Sequence, residues 1–545
     1  MKMKVAEVLV RYLRQQGVEH VFGVTGHSVF DITDAIYQEP GIDFLPSQIE
    51  VSAGYMANGY ARGTRGLSIS LVSSGAGATN AISGAAQAFK ESYPVLIISS
   101  DIDTAFSGKG ASSWHEVPQQ EMFQPITKLS VTLRKAEDTL EVLQDAVRAA
   151  STGRYGPVYL GVPRDVQVEE IEVPDGSWRD DPPAAHAPDR HHIQQAADLL
   201  AHAAAPTIIA GGGVHWARCE PEIIELAELL HAPIGVTPSQ KGLISEEHPL
   251  ALGVLGSGSA PFANAYCQDA DVILAVGATF SEPLTLGYGH RVIPEGAKVI
   301  HIDIDSGEIG KSYPAEVGIA GDAKPALHAL INRLKAADHG APPSDRIARM
   351  QKEKAAWRAN QAKEGQAADG PINQWQLYGA LREAIDEDAI VVAEGGTQEL
   401  VHRFVATAPV YHGGEFRAIG HGLGTALGAK CAFPDRQVVC MSGDGSFMME
   451  LQELSTAVRA QLPIVCVVVH NDAYGNMKRD QVHSYGGRVI GTELHIPDLV
   501  KLADAFGVYG ARVERSADLA PAIRTALAAN RPALIDAVCP IEPRA

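Results

Sequence analysis

The feature that most limits the fold is a repeated pattern of short, unbroken apolar runs, each followed by a stretch of helical character. SISLVSS (68–74) and PVLIISS (94–100) flank GATNAISGAAQAF, a small-residue segment that reads as one helix. Such runs carry no apolar/polar alternation, so both faces of each strand are buried. Strands of this kind in alternation with helices predict parallel sheets covered on both sides. The pattern begins with HVFGVTG (20–26), the helical VFDITDAI, DFLP (43–46) and a helix from Ile49 to about Gly63.

The same pattern returns twice. Residues 171–190, rich in Pro, Asp and Ala, read as a linker. A second unit over 191–335 has strands at TIIAGGGV (207–214), DVILAVGATF (271–280) and KVIHIDID (298–305). A polar Lys/Ala-rich stretch, 336–370, reads as a second linker, part of it helical. A third unit, 371–545, has strands at AIVVAEGG (389–396), VVCMSG (438–443), IVCVVVHN (464–471) and ALIDAVC (533–539). The expected fold is therefore α/β, with three doubly wound parallel-sheet domains in 545 residues. Ligands of such sheets bind at the carboxyl ends of the strands.

The net charge of −20 speaks against nucleic acid, which needs a basic footprint. The apolar runs are too short to cross a membrane. Six cysteines show no CxxC pair and no zinc spacing, and the N-terminal MKMKVAEVLVRYLRQQG reads as an amphipathic helix rather than a signal peptide. Both point to the cytoplasm.

The strongest chemical signal is VVCMSGDGSFMMELQELSTAVRAQLPIVCVVVHND: strand, Gly-Asp-Gly turn, helix, strand. Phe447, Leu451, Leu454 and Val458 recur at helical spacing. Asp444 and Asn471 then end neighbouring strands, side by side. A carboxylate and an amide oxygen, completed by a carbonyl, water and phosphate oxygens, suit Mg²⁺. Gly443, Gly445 and Ser446 form the turn and helix start, where free N–H groups attract phosphate. A GDG turn alone can merely cap a helix; the strand context and the terminal Asn favour the metal.

This segment is similar to the diphosphate motif of thiamine diphosphate (ThDP) enzymes, GDG followed by Asn-Asn, except that His470 takes the first Asn position. The resemblance implies Asp444, Asn471 and the carbonyl of Ala473 as Mg²⁺ ligands. It implies Thr397 and Gln398 of EGGTQ, and Tyr474, Gly475 and Asn476, as further contacts to the diphosphate. DFLPSQIEVSAGYMANGYAR resembles the family's RHEQ-A-MADGYAR block and makes Glu50 the carboxylate that activates the cofactor's aminopyrimidine. A Glu at a helix start is otherwise an ordinary first-turn charge. FRAIGHGLGTALGAK (416–430) aligns with GGLGTMGFGLPAAMGAK. Ile419 then falls at the apolar wedge under the cofactor, and Arg417, usually Gly in relatives, at the position whose carbonyl meets the amino group.

SSGAGATNAISGAAQAF, GRYGPVYLGVP and KVIHIDIDSGEIGK extend the resemblance over nearly the whole chain, to the acetolactate synthase large subunit and the 2-oxo acid decarboxylases. The domains would be a pyrimidine domain (1–170), a central domain and a diphosphate domain, in a homodimer or homotetramer with active sites between chains. The implied reaction joins or cleaves a carbon–carbon bond of a 2-oxo acid, as a transferase or carboxy-lyase. A lyase of 2-hydroxyacyl thioesters or acyloins and a non-catalytic subunit are the alternatives. Glu50, Asp444 and Asn471 together argue against the last.

Near the substrate the chain departs from the synthases. His27 replaces their Gly, His115 their Gln, and Asp480 their Trp. His27 and His115 suit proton transfer near neutrality, although a surface histidine is the plain alternative for each. His421 and His483 are weaker candidates. Synthases bind FAD in the central domain, but LGSGSAPFANA and ATFSEPLTLGY match their flavin contacts poorly, so FAD is not the expected occupant. A basic strip suited to coenzyme A is absent as a cluster in sequence.

Overall fold

A computed structural model describes residues 1–174, 176, 186–336, 344–366, 368, 370–405 and 408–541. Among them are three six-stranded sheets, each parallel throughout. The first runs Asp43–Pro46, His20–Gly23, Ser68–Val72, Val95–Asp101, Val158–Pro163, Leu129–Thr132. The third runs Val410–Tyr411, Ile390–Ala393, Val438–Gly443, Val465–His470, Ala533–Val538, Tyr509–Val513. Numbered within each sheet by chain order, both read 2-1-3-4-6-5. The middle sheet differs, running 3-2-1-4-5-6 from Ala251–Val254 to Val317–Ala320. In each, the order reverses beside the first strand, and a crevice opens there at the carboxyl edge. Parts of both expected linkers lie outside the described residues.

Several elements differ from the expectations. The run 207–214 is a strand only over Pro206–Ala210; Gly212–Ala217 already forms a short helix, because the glycines end the ladder. GATNAISGAAQAF is two helices, Ala76–Asn80 and Ile82–Glu91. The helix after the GDG turn also breaks, into Asp444–Glu450 and Glu453–Arg459. The apolar stripe survives the break, with Phe447 and Leu454 buried and Leu451 and Val458 packed beside them. The described part of the second linker is mainly one helix, Ser344–Glu364, on which Met350, Lys354 and Gln361 form a narrow buried stripe.

The first and third domains are joined by helices Glu50–Thr64 and Gly422–Ala432. Their crossing is built from glycines. A Cβ on Gly59 would stand 2.2 Å from the Thr425 carbonyl oxygen, and one on Gly428 would stand 1.9 Å from that of Met56. Glycine therefore lets backbone meet backbone. Two buried carboxylates cap the second helix. Glu394 accepts from the amides of His421 and Gly422 at 2.9 and 2.6 Å, and Glu450 from those of Leu423 and Gly424 at 2.8 and 3.1 Å. Glu453 accepts from the amide of Gln48 at 3.0 Å, just before the Glu50 helix.

Candidate functional site

In the third domain, Val438–Gly443 delivers Asp444 to the carboxyl edge, where it opens a helix. Asp444 is 1% exposed. One carboxylate oxygen accepts from the Gly445 amide at 2.7 Å; the other accepts from Asn471 and Asp472 at 2.8 and 2.6 Å. Burial raises the carboxyl's pKa against the pull of these three donors. The bonds to 471 and 472 tie the two strand ends together as the spacing predicted. The Asn471 Oδ1 is buried and has no hydrogen-bond partner among the described residues, which is where a cation's oxygen ligand would stand. No group of three or more His, Cys, Asp or Glu forms a metal centre among the described residues.

The segment after Asn471 folds back over the helix start. Ala473 pairs with Glu493 and the Tyr474 amide donates to Thr492 O at 2.9 Å. The Tyr474 ring covers Gly445, where a Cβ would lie 2.5 Å from it. Gly475 leaves room beside the Asn471 amide group, and Asn476 packs on Gly396, 2.3 Å from the place of a Cβ. Gly395 faces both Ile419 Cγ2, at 3.6 Å from its Cβ position, and Ser446 Oγ, at 3.8 Å. The structure thus brings 395–396, 419, 444–446 and 471–476 to one edge. Thr397 is turned inward: its hydroxyl lies 2.8 Å from Glu394 O and 3.2 Å from Met441 O, fixing the loop. Gln398 is buried at the start of helix Gln398–Phe404.

Ile419 is 39% exposed, unusual for a large apolar side chain and fitting for one that faces a ligand cleft. Arg417 has φ +52°, the left-handed region. That accounts for glycine at this position in the motif, and Arg417 carries the strain. Its side chain lines small and large cavities with Glu399 and Glu415. His470 turns away from the site. It bonds Asp536 at 2.6 Å and Asp472 at 3.2 Å. Burial alone would lower its pKa, but these carboxylates raise it.

In the first domain, Glu50 starts its helix and accepts from Asn80 Nδ2 at 2.9 Å. A Cβ on Gly77 would meet Glu50 Oε1 at 3.2 Å and Ser73 Oγ at 2.6 Å, so glycine leaves room for the carboxylate. Gly26, just before His27, packs on Ser73 Cβ, 3.0 Å from its Cβ position. His115, at φ +62°, lies against Gly75, with its Cβ 2.7 Å from the Cβ position there. Glu50, His27 and His115 thus gather around the 73–77 turn at the crevice of the first sheet. Both histidines are exposed. His421 is buried, with Nδ1 3.2 Å from Thr425 Oγ1, and burial lowers its pKa. His483 is exposed.

Sequence reasoning missed Glu394, Glu450 and Asn80. Each had a faint signal: an acid directly after a strand and before two glycines, an acid one turn beyond the GDG helix start, and an amide inside the GATN block. It also missed a charged cleft. Lys90, Lys128, Arg154, Arg291, Lys311 and Arg417 meet around a cavity of about 1230 Å³, interleaved with Glu282, Asp305, Glu308, Glu399 and Glu415. Beside it, a cavity of about 210 Å³ lies at the carboxyl edge of the middle sheet, lined by Gly212, Gly213, Gly277, Asp303 and Asp322. Burial raises the Asp303 carboxyl to about 6.

Known proteins match the chain in all three domains. Residues 3–128 match the family described as thiamine pyrophosphate enzyme, N-terminal TPP binding domain. Residues 193–330 match its central domain, and 395–537 its C-terminal TPP binding domain. A probable acetolactate synthase large subunit of Methanocaldococcus jannaschii is 33% identical over 98% of this chain and 92% of its own. The acetolactate synthase isozyme 3 large subunit of Escherichia coli is 33% identical, over 96% and 92%. An acetolactate synthase of Mycobacterium bovis is 31% identical, over 97% and 87%.

Proposed function

The chain belongs to the thiamine pyrophosphate enzymes, and from that premise we propose that it is a ThDP- and Mg²⁺-dependent carboligase or decarboxylase of a 2-oxo acid. The observation that carries this reading is buried Asp444 at a helix start, bonded to the backbone amide of Asn471, whose Oδ1 has no hydrogen-bond partner among the described residues. Asp444, Asn471 and the Ala473 carbonyl would hold Mg²⁺. The Ser446 amide at the helix start would bind the diphosphate, and Gly443, Gly445, Thr397, Gln398, Tyr474, Gly475 and Asn476 would shape its pocket. ThDP, when bound, supplies the carbon nucleophile that adds to the carbonyl. Glu50 presents the carboxylate that binds and polarises the aminopyrimidine. Ile419 would pack an apolar side chain against the cofactor, and Arg417 would offer it a backbone carbonyl. His27, with His115 as second donor, moves a proton to or from the substrate.

The exposed Ile419 and Met449 of one half, and the open Glu50 edge of the other, support a site closed by a second copy of the chain, in a dimer or tetramer. Six free cysteines support a reducing compartment, the cytoplasm. FAD is not assigned to the middle-sheet cavity: it has room for a ligand, but the ATFSEPLTLGY loop beside it matches flavin contacts poorly.

The test is product analysis by NMR with a panel of 2-oxo acids, with and without aldehyde or 2-oxo acid acceptors. Release of CO₂ with an aldehyde or a hydroxyketone product is expected. No turnover of any 2-oxo acid by ThDP- and Mg²⁺-loaded protein would overturn the reading. The large charged cleft favours one second reading, a lyase of 2-hydroxyacyl thioesters, because Lys90, Lys128, Arg291 and Arg417 in it can meet an anionic carrier. Cleavage of such a thioester, without turnover of 2-oxo acids, would establish that reading instead.

A further inference from the structure

A different cavity lies where the central domain, the long helix and the third domain meet. Its volume is about 20 Å³, room for one water-sized particle. Gln361 comes from the long helix, His402 and Arg403 from helix Gln398–Phe404, and the loop 258–262 from the central domain. His402 is 5% exposed and Gln361 is 2% exposed. Neither ring nitrogen of His402, nor Gln361 Nε2, nor Arg403 Nε has a hydrogen-bond partner among the described residues. The His402 Nδ1 lies 3.2 Å from the Cβ position of Gly258, on the cavity wall.

These groups share one chemistry. Arg403 Nε and Gln361 Nε2 are donors only. Burial, then His412 and Lys241, push the His402 pKa well below its usual value, so its neutral ring offers one N–H. Among these atoms donors outnumber acceptors, since only one imidazole nitrogen can accept, and that balance favours an anion over a water. An anion needs donors alone. The walls add charge of the right sign: Lys354, Arg358, Arg382 and Arg403 line the cavity against one carboxylate, Glu246. Glu246 is already bonded to the buried Lys241, and Arg358 is balanced by Glu247 at 2.8 Å. Lys354, fixed by the carbonyls of His248 and Ala251 at 2.9 and 2.8 Å, adds its charge from a buried position.

We propose that this junction binds a small monovalent anion of the size of chloride, held by Gln361, His402 and Arg403. The bound ion neutralises the surplus positive charge and adds a shared partner to three elements already joined by bonds such as those of Lys354 to His248 and Ala251. Recognition is by size and donor geometry, so bromide substitutes for chloride, and large organic anions do not.

The test uses the full chain. Melting temperature is followed as sodium gluconate is replaced by sodium chloride at constant ionic strength. A saturable rise is expected, with bromide giving the same curve. Gln361→Met, which keeps the volume and removes the donors, should raise the half-saturating chloride concentration at least 10-fold. Superimposable chloride and gluconate curves, or an unchanged response in Gln361→Met, would overturn the proposal and leave water as the occupant. Anomalous diffraction from wild-type crystals grown in bromide decides the matter independently of how the variant folds. A peak within hydrogen-bond reach of Gln361 and Arg403 supports the site, and its absence refutes it.

Discussion

The first and third sheets share a strand order and yet present opposite kinds of edge. At the third, Asp444 is buried, takes three backbone amides, and lies under a folded-back segment. At the first, Glu50 takes one bond from Asn80, and His27 and His115 stand exposed. The difference follows from the work each edge is proposed to do. A divalent cation and a diphosphate need fixed oxygens and N–H groups, since any rearrangement on binding weakens affinity. Proton-transfer groups need freedom to change charge, and burial would penalise that.

The comparison makes predictions that separate the two edges. The largest effect should come from Asp444→Ala. Losing the buried carboxylate removes the metal and leaves the diphosphate without its counter-charge. ThDP affinity, measured by calorimetry with Mg²⁺, should fall on the order of 10³-fold, about 4 kcal/mol. Unchanged affinity would mean that the third edge is not the diphosphate site.

Glu50→Gln should leave ThDP affinity largely intact. Deuterium exchange at C2 of bound ThDP should slow by roughly 10²-fold or more, as for removal of a preorganised catalytic charge. Wild-type exchange rates would take Glu50 out of the mechanism, and a collapse of ThDP binding would erase the contrast between the edges.

His27→Ala should keep both ThDP binding and C2 exchange while turnover drops by roughly 10²-fold, the lower range for general acid–base catalysis. Normal turnover would pass the role to His115.

The smallest effect concerns the seam between the domains. The Glu91 carboxylate accepts from the Glu415 amide at 2.7 Å, and burial raises its pKa from 4.5 to about 7. Between those values the folded state binds more protons than the unfolded one, so stability falls as pH rises through that window. Glu91→Gln should flatten this decline, by about 2 kcal/mol or less across the window. Parallel pH profiles of melting temperature for variant and wild type would refute the assignment.

Fold class was legible because doubly buried strands leave unbroken apolar runs, and every such run marks a strand of a parallel sheet. The ends of elements were not legible. The glycines of 211–213 look like strand continuation by composition but begin a helix. The pairing of Asp444 with the Asn471 amide followed from strand–helix–strand connectivity, which is local. Glu394 and Glu450 were missed because their partners, amides at 421–424, lie 26 to 28 residues away and leave no trace in spacing. The charged cleft was invisible for the same reason, since its cations come from positions as far apart as Lys90 and Arg417.

The glycine crossing at Gly59 and Gly428 has one more consequence. Helices that meet through side chains can slip, because rotamers absorb the movement; helices that meet through backbone have no such layer. Glu50–Thr64 and Gly422–Ala432 should therefore open only together. Their amides should share one hydrogen-exchange rate at low denaturant, slower than that of the exposed helix Gly475–Ser484, which should exchange by local opening. Loosening the crossing at Gly428, even by a methyl group, would then be felt as faster exchange in the helix that begins with Glu50, in a different domain.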